Sequence, residues 1–94
     1  MRFVVSKQRY TLPFVMRQIG YAPDRRGQSF VRKLSSAPYP QFHLYIQETK
    51  DGWEFNLHLD QKQPTYQPGR AHAGEYEGEV VEREAARIRA FIDT

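Results

Sequence analysis

Phe42, Leu44 and Ile46 alternate with His43, Tyr45 and Gln47. After Thr49-Lys50-Asp51-Gly52, a second alternation sets Trp53, Phe55, Leu57 and Leu59 against Glu54, Asn56, His58 and Asp60. A period of two belongs to a half-buried strand, so the two runs predict a β-hairpin over 41–48 and 53–60 with one oily and one polar side. Turning the oily sides together pairs Ile46 with Phe55, Leu44 with Leu57 and Phe42 with Leu59. A slip of one residue would send every side chain to the wrong face. The same register sets His43 opposite His58, Tyr45 opposite Asn56 and Gln47 opposite Glu54.

The flanks change to a helical period. Leu12, Val15, Met16 and Ile19 form one stripe, with Thr11 as N-cap, Pro13 tolerated in the first turn and Gly20 at the C-terminal cap. This predicts a short helix over 12–19. Val81, Ala85, Ile88 and Ile92 predict a second helix over about 78–92. Its acids come first and its arginines later, as the helix dipole favours, and Glu79 and Arg83 form a spaced pair.

Between these elements, Asp24-Arg25-Arg26-Gly27 predicts a turn. Residues 29–35 predict a strand with Arg32 on the side of Phe30 and Lys33 on the side of Val31, a pattern suited to a sheet edge. Residues 2–6 are too short a run to classify and fit an edge strand or an ordered tail. Ser35–Pro40 is a loop, and Gln61–Gly74 has no period, the mark of a loop that is functional or wrapped over the surface. The expected fold is α+β: a small antiparallel sheet of two to four strands with both helices packed on the Trp53 face, in a single domain over 1–94.

Composition narrows the class. Ninety-four residues make one domain, and 39% hydrophobic with 27% charged residues is neither a disordered nor a membrane composition. No window reaches the roughly 18 apolar residues of a membrane span, and no charged-then-apolar leader is visible. The expectation is a protein with no membrane partner. Absence of cysteine excludes disulfides, thiol catalysis and cysteine-zinc sites.

Net charge is +3, but its distribution is uneven. Through residue 33, eight basic residues face the single acid Asp24, whereas six bases face ten acids in the remainder. A basic first third suggests a polyanion partner bound through phosphate contacts. Two halves that cancel each other by packing would give the same asymmetry.

Three functions compete for the polar face of the hairpin. The first is a solvated surface that happens to carry histidines, since antiparallel sheets commonly keep one face wet. The second is nucleic-acid binding, RNA rather than DNA, with Tyr45 as stacking platform, Asn56 as hydrogen-bonding group and Arg25, Arg26, Arg32 and Lys33 as phosphate contacts. The third is metal chemistry. His43, His58 and Asp60, joined by His72 from the long loop, offer nitrogen and oxygen ligands for a divalent ion such as zinc, as a binding site or a metal-assisted phosphoester hydrolase. A protein-interaction module is the remaining alternative, and the oligomeric state is not encoded in any visible pattern. No phosphate-cradling glycine motif occurs, and Ser29, Ser35 and Ser36 lack a nucleophile-elbow context.

The segments Phe42-His43-Leu44-Tyr45-Ile46, Phe55 through Lys62 and His72 through Glu82 (HAGEYEGEVVE) resemble a group of small uncharacterised bacterial proteins, over about the last two thirds of the chain. The resemblance implies a bacterial cytoplasmic protein and assigns no activity, cofactor, partner or site residue.

Overall fold

The hairpin of residues 41–60 organises the molecule, and its register is the one the oily faces require. In the computed structural model, which describes residues 1–27, 29–61, 74–75 (backbone only) and 78–92, strand β4 is Gln41–Glu48 and β5 is Gly52–Asp60. They pair antiparallel with Ile46 opposite Phe55, Leu44 opposite Leu57 and Phe42 opposite Leu59.

The sheet is wider than the expected two to four strands. Strand β1 (Arg2–Ser6) lies along β5, with Phe3 opposite Phe55 and Val5 opposite Trp53. Strands β2 (Ala22–Pro23) and β3 (Phe30–Lys33) extend the other side, giving the order β1-β5-β4-β3-β2. A two-residue strand β6 (Gly74–Glu75) continues β5's outer edge opposite Leu59 and Asp60. Six strands are thus present among the described residues. A run as short as residues 2–6 has no period of its own to read, and its pairing with β5 is fixed by long-range packing of Phe3 and Val5.

Both helices cover one face, as the stripes predict. Helix α1 (Leu12–Gln18) buries Val15 and Met16, and α2 (Glu79–Ile92) buries Val81, Ala85, Ile88 and Ile92. They close over Phe3, Val5, Phe42, Leu44, Trp53, Phe55, Leu57 and Leu59 in one hydrophobic cluster. Phe3 meets Phe55 edge-to-face at 5.4 Å, a geometry aromatic pairs favour. Thr11 is the N-cap by position, but its side chain makes no capping bond. Gly20 has φ +92° at the end of α1, a conformation costly for other residues.

A polar contact bolts α2 to the sheet side. Glu84 shares the buried face of α2 and is only 5% exposed. Tyr21 Oη donates to Glu84 Oε2 at 2.6 Å, and Arg87 donates through Nε to Oε1 at 2.8 Å and through one terminal nitrogen to Oε2 at 2.9 Å. Arg87 also donates to the Ile19 carbonyl at 2.7 Å, so one guanidinium ties α2 to the end of α1. Burial, then the neighbouring Glu84 charge, pushes the Tyr21 hydroxyl far above its ordinary value. The Arg87 guanidinium is held more firmly protonated by its hydrogen bonds to Glu84.

Candidate metal centre

Alternation along β4 and β5 delivers His43, Tyr45, Asn56, His58 and Asp60 to the face away from the helices. His43 is directly opposite His58, and Tyr45 is opposite Asn56. Beta carbons across such a pair stand about 4.5–5.5 Å apart, so the imidazoles must meet. Their ring centroids are 5.0 Å apart.

Asp60, two residues beyond His58, links them. His43 Nδ1 lies 3.0 Å from Asp60 Oδ2, and His58 Nε2 lies 3.0 Å from Oδ1. One donor atom from each of the three residues falls within 4.8 Å of the others. The expectation of a wet face fails here, because His58 is 5% and Asp60 8% exposed. Burial by itself raises the Asp60 carboxyl, but hydrogen bonds from His43 and His58, with their charges, outweigh it and hold the group well below the usual carboxylate range. Asp60 is therefore an ionised, acceptor-only group between two imidazoles.

Tyr45 forms the outer wall. Its ring stacks on His43 at 4.6 Å and 17°, and on His58 at 5.5 Å and 18°. Beside it, Arg2, Gln47, Glu54 and Asn56 line a shallow depression, and Arg2 approaches Glu54 at 3.7 Å.

The turn between β2 and β3 supplies two further groups, Asp24 and Ser29, that no sequence pattern places beside His43. Asp24 N–H donates to the Ser29 carbonyl at 2.9 Å, and Gly27 N–H to the Asp24 carbonyl at 3.0 Å. This turn holds Ser29 Oγ 2.6 Å from His43 Nε2 and 2.8 Å from Asp24 Oδ2. Parity settles only the face. Val31 is opposite His43, and Ser29, two residues earlier, points to the same face. The line Ser29–His43–Asp60 has the order of a hydrolase triad, but Ser29 is 2% exposed and its hydroxyl is donated to Asp24. A nucleophile needs substrate at its oxygen, so this serine supports the ring instead.

The other expected contacts separate. Arg25 and Arg26 are exposed in the β2–β3 turn, and Lys33 is exposed on the polar face opposite Gln41. Arg32 is opposite Phe42 and turns to the helix side, 3.5 Å from Glu84 and over the Phe42 ring. It contributes to packing, not to the polar face. His72 and the central part of the 61–74 loop lie outside the described residues. No helix among the described residues is long and apolar enough to cross a membrane. No protein family matches the sequence, and neither curated proteins nor solved structures show a similar chain, so the functional reading rests on this geometry.

Proposed function

We propose that this chain is a metal-binding protein in which His43, His58 and Asp60 hold one divalent cation. Zinc is the simplest match to two imidazoles and a carboxylate, with the other imidazole-binding first-row metals as competitors. The observation that carries the reading is convergence: half-buried His43, buried His58 and the ionised, buried Asp60 carboxylate meet at one point. The ligands come from paired central strands, which hold them more firmly than a loop would. Calorimetric titration of the whole chain with zinc, manganese and nickel, followed by thermal melting, tests it. A cation that binds only the folded chain adds about 2.7 kcal/mol of stability at a hundred times its Kd. That gain is expected in the native sequence and lost in His58→Ala. No response to any of the three ions refutes the reading.

A second reading is supported by the surroundings of the centre. The exposed Tyr45 ring, Asn56, Lys33 and the Arg25-Arg26 turn surround the same polar face, a combination suited to stacking a base and holding phosphates. A single-stranded nucleic acid, RNA rather than DNA, is the fitting ligand. A cation beside its phosphodiester would make the protein a metal-assisted hydrolase. A gel-shift series at several salt concentrations tests binding, and no shift at low salt removes this reading. The sequence resemblance is what supports reading it as a bacterial cytoplasmic protein.

A further inference from the structure

Asp24 and Ser29 approach His43 from behind, on the side away from Asp60. Asp24 Oδ1 accepts the Arg26 backbone N–H at 3.0 Å, and Oδ2 accepts the Ser29 hydroxyl at 2.8 Å. Ser29 Oγ then lies 2.6 Å from His43 Nε2. A carboxylate only accepts, and a hydroxyl has a single hydrogen to give. With that hydrogen directed at Asp24, Ser29 Oγ meets Nε2 only as an acceptor, so Nε2 must carry hydrogen. Nδ1 gives its hydrogen to Asp60 Oδ2 at 3.0 Å, and it is the nitrogen that can release that hydrogen and take a cation.

We infer that Asp24 and Ser29 are positioning residues that keep hydrogen on His43 Nε2 and so make Nδ1 the metal-binding nitrogen. The inference rests on the metal-centre reading for its consequence, but the direction of the hydrogen bonds stands without a metal. A cation would take the place of the hydrogen now lying between Nδ1 and Asp60. Partners behind a ligating imidazole fix its orientation and hydrogen position, and their loss typically costs 10–100-fold in metal affinity. Ser29 is buried, so bulk water is a poor substitute for its part in the chain.

The relay can be reversed almost without changing shape. In Asp24→Asn, the Arg26 N–H retains the amide oxygen and leaves the NH2 group facing Ser29. Ser29 then accepts from residue 24 and gives its hydrogen to Nε2, which becomes an acceptor, so the neutral ring must keep its hydrogen on Nδ1, the nitrogen the cation needs. Ser29→Ala removes the link with no reversal.

The test uses the whole chain labelled with 15N-histidine, with and without zinc, and zinc affinities by calorimetry. The native protein is expected to show a His43 Nε2–H resonance in both states, with Nδ1 shifted by zinc. Asp24→Asn should lose that resonance even in the metal-free state, and both variants should bind zinc about 10–100-fold more weakly. Zinc on Nε2 of the native ring, or native affinity in both variants, overturns the inference. If the native chain binds no zinc, the metal-centre reading fails by itself. The metal-free spectra then decide the relay: an unchanged Nε2–H signal in Asp24→Asn overturns it.

Discussion

Tyr21 and Glu84, 63 positions apart, share a 2.6 Å hydrogen bond beneath helix α2. Glu84 is also gripped by Arg87 and approached by Arg32, so the two residues are unequal. Removing Tyr21's hydroxyl leaves Glu84 partnered, whereas removing Glu84 strips the phenol and two guanidinium groups together. Urea unfolding of Tyr21→Phe is expected to show a loss of about 1 kcal/mol. Glu84→Ala is expected to lose about 3 kcal/mol or more, as when one partner of a buried ion pair is deleted. Equal losses would mean that the carboxylate does not organise the cluster.

The same tyrosine gives the protein an alkaline weakness. Its folded-state ionisation is raised above the unfolded value, first by burial and then by Glu84. Its stabilising effect is therefore complete below about pH 10, the unfolded value, and is lost as pH rises beyond it. Urea midpoints measured from pH 8 to 11 should fall more steeply for the native chain than for Tyr21→Phe. Parallel curves would contradict this.

Gly52 is required for close approach, a different reason from the turn the sequence suggests. A β-carbon there would stand 2.0 Å from the Val5 carbonyl oxygen, and Gly52 is opposite Ser6 in the β1–β5 pair. Gly52→Ala must displace β1 backbone. Overpacking of this kind costs about 1–3 kcal/mol, and hydrogen exchange should be accelerated at β1 amides more than at β4 amides.

Arginines at the basic end divide by face. Arg25→Glu with Arg26→Glu should leave the melting temperature near the native value and weaken any nucleic-acid binding across all sequences tested. Arg32→Ala should do the reverse, lowering stability by about 1 kcal/mol through its lost partners Glu84 and Phe42, with little effect on binding. A binding loss confined to Arg32→Ala would place the nucleic-acid surface on the helix side.

How much of this was legible follows from distance along the chain. Period-two alternation in 41–48 and 53–60 gave the hairpin, its register and the meeting of His43, His58 and Asp60, because a four-residue connection leaves little choice of alignment. The place of Ser29 and Asp24 beside His43 was not legible, because it depends on how β3 lines up with β4 across the Ser35–Pro40 loop, which has no period. Strand β1 reaches β5 across some fifty residues, and no local pattern encodes that choice. Glu84 was legible by position, since it shares the stripe of Val81, Ala85 and Ile88, but a charged residue there is easily counted with the exposed acids. The doubled use of Arg32 and Lys33 followed from parity, whereas the destination of Arg32 needed the position of α2.

The β4–β5 alignment has one last implication, for how this chain can change over time. Oily and chemical residues occupy alternate positions of the same two segments, so inserting or deleting one residue within either would exchange their sides beyond that point. It would expel Leu44 or Leu57 into water as it carried an imidazole into the interior. The centre can be altered by substitution but not moved by a single position along its strands, because that shift would also dismantle the protein that bears it.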